Sequence, residues 1–377
     1  MVACLVARLV PLNHFPFLLT LAGMLLRRLL WETPKSSPFS RALSTQISLG
    51  ATTPAETPSM SKYDKLIDSA GREGDFDTVK RLLEKRGRDG LFNTCRTFKF
   101  IWNDISMLDD LLAALAGINH RFARESAHNC LIARLSRLRH TPQALRVAET
   151  AVRSGFCSSA TTFHPILIEH TKRRNFEEAW RVVGAMKALS VRPDITTYNY
   201  LLTGYCCVGD LEKAAGILTN LAEEKVEPDD RTYDALVLGA CRVGKVDSAL
   251  KVLRRMKEEG IAPLYSTHAH VIGAMVRLGF HKQAFQYVMA CAGRDEQLYS
   301  ANFGELGRKM IRRRRYEDVK VVLKEMRKRG IEMGDELRGF CEWNAIDEDD
   351  VEFHSRDKVA NGERQYGGRL PTDVAQR

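Results

Sequence analysis

The chain has 377 residues, 44% hydrophobic and 28% charged, which is enough apolar material for a folded core and too much for the disordered class. Its formal net charge of +10 favours polyanionic partners and says nothing about fold. Nine cysteines occur without a C-x-x-C pair, so neither a zinc-ribbon spacing nor a secreted disulfide framework is present, and they read as small buried residues in a reducing compartment.

Residues 1–59 have their own composition. Arg8, Arg27, Arg28, Lys35 and Arg41 face only Glu32 and Glu56, and Ser and Thr are frequent from Ser36 onward. Arg-rich, Ser-rich and acid-poor is the composition of an organellar transit peptide, here expected to be followed by a disordered linker. The apolar run from Phe15 to Leu30 is interrupted by Arg27 and Arg28, and its uncharged part is too short for a membrane span. A mitochondrial destination is expected, with the chloroplast as the alternative. No stable membrane insertion is expected once the peptide is removed.

From residue 60 a 35-residue period takes over. Tyr63 leads to Phe98, and after one shortened step of 30 residues His128 leads to Phe163, Tyr198, Tyr233, His268 and Phe303. Three residues after these markers the chain holds Leu66, Leu131, Ile166, Leu201, Leu236, Val271 and Leu306. Eleven after, Gly74, Gly209, Gly244 and Gly279 recur, and sixteen after, Ala144, Ala179, Ala214, Ala249 and Ala284. One unit explains the pattern. Tyr198, Leu201, Leu202 and Tyr205 have the spacing of a first amphipathic helix. Gly209-Asp210 breaks it, and Leu211, Ala214, Ala215, Leu218 and Leu221 form the stripe of a second helix that Pro228 is expected to stop. A single hairpin cannot bury its own apolar face, so stacked neighbours must do so. The expected fold is all-α: a right-handed superhelical α-solenoid of about eight helix-turn-helix repeats over residues 60–335. Residues 336–377 hold the acidic run Asp347-Glu348-Asp349-Asp350 and read as a mostly disordered tail after one short capping helix.

The runs Asp194-Ile195-Thr196-Thr197-Tyr198-Asn199-Tyr200-Leu201-Leu202, Gly209-Asp210-Leu211-Glu212-Lys213-Ala214 and Glu227-Pro228-Asp229 carry a resemblance. They are similar to the motif of the pentatricopeptide-repeat family, of the P-class type and directed to organelles. The resemblance implies that each repeat reads one base of single-stranded RNA. The residue after the marker would meet the base edge, the last residue of the motif would orient it, and the residue two before the marker would pack on the base faces. By this implication Asn199 pairs with Asp229 as a uracil-preferring combination and Asn129 with Ser159 as a cytosine-leaning one. His164 with Asp194 is a partial match. Ser126, Thr161 and Thr196 would be the base-packing residues, small and polar where the family usually has Val or Ile. Asp64 with Thr94, Asp234 with Leu264, Ala269 with Tyr299 and Gly304 with Gly334 form no recognisable combination. Asn and Asp at helix starts also serve as plain caps.

Two basic runs are candidates for phosphate contact: Arg312, Arg313, Arg314 and Arg315, and Lys172 with Arg173. Both also read as solvated faces, the first balanced by Glu317 and Asp318. His268 and His270 lie two apart and point to different faces of a helix, so no metal pattern arises. No H-E-x-x-H, Walker or G-x-S-x-G motif occurs, and no enzyme activity, cofactor or metal is expected. The expected partner is single-stranded or structured organellar RNA, in stabilisation, processing, splicing or translation. The alternative is a protein-interaction scaffold among ribosomal or RNA-processing proteins.

Overall fold

A computed structural model describes residues 59–102, 105–291 and 296–344; the expected transit peptide and the acidic run lie outside the described residues. Among the described residues every regular element is helical. The helices are α1 Met60–Arg72, α2 Phe76–Arg88, α3 Leu108–Ala116, α4 Arg121–Arg137, α5 Thr141–Arg153, α6 His164–Lys172, α7 Phe176–Ala188, α8 Ile195–Val208 and α9 Leu211–Glu223. They continue with α10 Asp230–Arg242, α11 Val246–Glu258, α12 Tyr265–Arg277, α13 His281–Ala290, α14 Glu296–Arg312, α15 Tyr316–Lys328 and α16 Asp335–Trp343. A 3-10 turn, Ala160–Thr162, precedes α6.

Two compact units emerge, one ending at Gly204 and including Glu212–Glu227, the other made of Tyr205–Leu211 and the residues from Pro228 on. Within each, hairpins pack on their neighbours, α4 on α5 and α6 in the first and α10 on α11 and α12 in the second, and α2 also packs on α4 past the shortened unit of Phe98. The markers are the pins of this packing. Phe98, Phe163, Tyr198 and Phe303 are fully buried, as are Leu131, Ile132, Leu135, Ala144 and Val147 around α4 and α5. Each buried large aliphatic contributes about 1.5–3 kcal/mol.

Left-handed residues end the helices. Eleven residues after the markers, Gly74, Arg139, Arg174, Gly209, Gly244, Gly279 and Arg314 all have φ between 56° and 86°. Twenty-seven after, Gly90, Gly155, Ser190, Lys225, Gly260 and Gly330 are left-handed too, with φ between 55° and 72°. The following amide then reaches back to an orphan carbonyl, as Val226 N does to Leu221 O at 2.9 Å. This corrects one expectation. Pro228 does not stop α9; the helix has already ended at Glu223, and left-handed Lys225 turns the chain.

The unit of Phe98 also departs from expectation. It has no first helix: residues 95–100 form turns around a buried Phe98, and only α3 remains as its second helix. The step of 30 residues leaves too little chain for a full hairpin. Arg134 of α4 takes up stranded carbonyls, donating to Ile101 O at 2.8 and 3.1 Å and to Lys99 O at 3.2 Å.

Candidate nucleic-acid interface

In the first unit a groove of about 790 Å³ runs over α4. Ser126 and Asn129 stand on its floor, Thr94 and Cys95 on one wall, Pro165, Ile168 and Lys172 of α6 on the other. It changes character along α4. Phe92 and Phe122 lie at one end, their rings edge-to-face with centres 6.0 Å apart and both exposed. Arg137 and Lys172 lie at the other. Ser126 accepts a hydrogen bond from Asn93 at 3.0 Å.

The expected pairs differ in how far the fold brings them together. His164 and Asp194 meet directly, Nε2 to Oδ1 at 3.0 Å. The same carboxylate oxygen accepts from the amide and hydroxyl of Thr197 at 2.8 and 2.7 Å. Burial by itself raises this carboxyl, but the Thr197 bonds and the His164 ring outweigh it and hold Asp194 below its ordinary range. Asn129 and Ser159 make no hydrogen bond to each other. Ser159 turns to the amide and hydroxyl of its own Thr161, and Asn129 accepts a long contact of 3.7 Å from Cys157. Asn199 is buried on α8, 5% exposed. Asp229 caps α10 and accepts from the amide of Thr232 at 2.8 Å, while Thr232 Oγ1 accepts from the Asp229 amide at 3.2 Å. Of the possible base-packing residues, Thr161 is exposed and Thr196 and Ser126 are half-buried.

Asp64 is spent on structure. It takes Arg86 at 2.8 Å, Thr97 at 3.0 Å and Thr94 at 2.5 Å. Asp234 likewise takes Thr267 at 2.7 Å and Ser266 at 3.1 Å. These bonds expose a column that sequence reasoning missed: Thr97, Thr162, Thr197, Thr232 and Thr267, one residue before the marker and fully buried. Each sits three residues after the motif's closing residue, the spacing of a capping box. Stepping the sequence by 35 from Thr197 finds Thr162, Thr232 and Thr267, and only the shortened step hides Thr97.

The basic residues gain a pattern too. Lys172 and Arg312 are each the last residue of a first helix, and Arg72, Arg137, Arg242 and Arg277 occupy the same place. All are exposed, where a cation complements the helix C-terminus. Arg72 pairs with Asp68 at 2.9 Å and Arg312 with Glu336 at 3.7 Å, whereas Lys172 and Arg242 have no ion pair among the described residues. Arg173 meets Glu169 at 3.6 Å and Arg315 meets Asp318 at 2.8 Å. Arg313 and Arg314 are exposed beyond the end of α14.

Of the thiols, Cys95 on the groove wall and Cys207 are exposed, against the expectation that the cysteines are buried, whereas Cys157, Cys206 and Cys241 are buried. Burial pushes Cys130 and Cys157 up to about 11, and Cys206 and Cys241 up to about 12. Among the described residues no cluster of His, Cys, Asp and Glu has a metal-binding arrangement, and no helix is long and apolar enough to cross a membrane.

Comparison with known proteins adds the following. The family described as the pentacotripeptide-repeat region of PRORP matches residues 128–274. A pentatricopeptide repeat-containing protein of Arabidopsis thaliana, named as mitochondrial, is 43% identical over 333 residues, 85% of this chain and 95% of that one. A second such Arabidopsis protein, also named as mitochondrial, is 47% identical over 307 residues, 81% of this chain and 86% of that one. The crystal structure of the pentatricopeptide-repeat domain of Arabidopsis protein-only RNase P 1 in complex with tRNA aligns at 17% identity over 48% of this chain and 95% of that domain. Its TM-score of 0.34 is too low to transfer any geometry.

Proposed function

This chain belongs to the pentatricopeptide-repeat family, and from that premise we propose that it is a non-catalytic, single-stranded RNA-binding protein of the mitochondrion, of the P-class type. It acts by occupancy in the stabilisation, processing, splicing or translation of an organellar transcript. The mitochondrial part rests on the names of both relatives and on the Arg-rich, acid-poor N-terminal composition.

The observation that carries the reading is the groove over α4, where small polar side chains lie beside a basic end. Ser126 and Asn129 are short enough to leave room for a base, and Arg137 and Lys172 supply phosphate partners. In this mechanism the helix-end cations position the strand uniformly. Asn129 and Asn199 contribute base choice, with Asp229 and Ser159 as closing residues of the motif.

The test is binding of the purified full chain to a pool of short single-stranded RNAs across a salt series, beside Asn129→Ala and Asn199→Ala. A selected, pyrimidine-containing site whose preference relaxes at one position in each variant is the expected result. Weak binding that falls steeply with salt and ignores both substitutions would sink the base-reading mechanism.

A second reading, a scaffold for ribosomal or RNA-processing proteins, is favoured by Phe92, Phe122 and Trp102, which are 63%, 50% and 64% exposed. A scaffold would co-purify with a partner at fixed stoichiometry and bind short single strands poorly.

A further inference from the structure

Phe92 and Phe122 come from different elements: Phe92 follows the end of α2, and Phe122 is the second residue of α4. Their rings meet edge-to-face with centres 6.0 Å apart, and both are at least half exposed where they line the groove. The backbone that carries them is held in place. A Cβ on Gly87 of α2 would stand 2.9 Å from Ala123 Cβ, so the two helices touch beside Phe122. Asn93 donates to Ser126 at 3.0 Å, which ties the residue after Phe92 to α4. An edge-to-face pair covers only one face of one ring, so open aromatic faces remain.

The pair stands where base reading has a gap. The unit of Phe98 has no first helix, and Lys99, the residue after its marker, sits in a turn and does not line the groove. No helix of that unit presents a short polar side chain to a base edge. The charges of the groove orient a strand. Arg137 and Lys172 stand at one end, and Glu125, three residues along α4 from Phe122 and on the same face, stands at the other. Glu169 also lines the groove and is met by Arg173 at 3.6 Å. A carboxylate beside the rings disfavours phosphate there and leaves the place to an uncharged base, while phosphates go to the basic end. Every base has a π-face, so stacking on the rings requires no particular base. At about 150–250 Å² each, two rings match a base and fall short of the roughly 800 Å² per partner of a stable protein interface.

We propose that Phe92 and Phe122 form a stacking platform for one unpaired base at the shortened unit, a contact that holds any of the four bases and adds affinity without selectivity. This rests on the RNA-binding reading above, and it assigns the rings to RNA rather than to a protein partner.

Binding is measured for the full chain, for Phe92→Ala with Phe122→Ala, and for Phe92→Leu with Phe122→Leu, which keeps apolar bulk without rings. The ligand is the single-stranded RNA that the wild type enriches from a randomised pool, beside a series in which each nucleotide in turn is made abasic. Both double variants should bind the intact RNA about tenfold more weakly, the effect of one lost stack. At one position the abasic substitution should weaken the wild type by the same factor and leave the variants unaffected, and there the wild type should accept all four bases equally. Abasic effects that add to the ring substitutions at every position would mean that the rings touch no base, and would overturn the proposal. A strong preference for one base at the ring position, or full affinity in the leucine variant, overturns it as well. Unchanged RNA affinity with loss of a co-purifying protein in both variants overturns it and gives the rings to a protein partner. Each of these leaves RNA binding itself standing, whereas failure of the wild type to enrich any RNA overturns both. The leucine pair decides the matter even if the alanine pair does not fold.

Discussion

Arg86 is 1% exposed, and its charge is met inside the first unit by Asp64 at 2.8 Å. It also donates to Thr97 at 3.2 Å and lies 5.9 Å from the centre of the Tyr63 ring. Such a pair is weak ground for net stability, but removing one member strands the other. Arg86→Met should therefore cost about 3–5 kcal/mol in urea unfolding, and adding Asp64→Leu should restore most of it. An unchanged midpoint in the single variant would refute the buried pair. Asp194 supplies a pH prediction. Its pKa is lowered in the folded state, so its contribution is fully present above the unfolded value of about 3.9 and is lost as pH falls through the folded value. Melting temperature should drop more steeply below about pH 4 in the wild type than in Asp194→Asn. Parallel curves would show that the Thr197 and His164 bonds do not favour the charged form.

At the scale of the element, seven helix ends share one left-handed turn, yet three of them use arginine where four use glycine. A side chain in that conformation costs about 1–2 kcal/mol. Arg139, Arg174 and Arg314 carry that cost while placing exposed cations two residues beyond the basic helix ends of α4, α6 and α14. Arg174→Gly should raise stability by up to about 1 kcal/mol, offset partly by glycine's backbone entropy, and should weaken RNA binding. A gain in stability with no loss of affinity would assign the arginine to solvation alone. The caps are the second element-scale device. Asp229→Ala removes the acceptor for Thr232 N and should cost about 1 kcal/mol by thermal melting. Close packing is the third. A Cβ on Gly239 of α10 would lie 2.9 Å from Cys206 Sγ and 3.1 Å from the Leu211 side chain, which explains a glycine in mid-helix.

For the whole molecule, the net charge of +10 makes salt the main lever on affinity. Each phosphate contact on a single strand contributes a slope of about 0.7 in log affinity against log salt. Lys172→Ala with Arg242→Ala should lower the slope by about 1.4, whereas Asn129→Ala should leave it unchanged. An unaltered slope in the double variant would remove those helix ends from the interface. Much of this organisation was legible in the residues. A 35-residue step located the markers, and from them the hairpins and the left-handed turns marked by Gly74, Gly209, Gly244 and Gly279. Helical period and turn chemistry are local, so they survive in one dimension. The sequence by itself thus determined the repeat, its all-helical character and the family. Only the tertiary structure decided which polar side chains are already spent. Asp64 and Asn129 hold the same place in their repeats, but Asp64 is consumed by Arg86 whereas Asn129 accepts only a long contact from Cys157. Likewise Phe98 keeps its place in the core although its helix is missing. These outcomes depend on partners some 10–35 residues away, whose geometry exists only once the hairpins have packed.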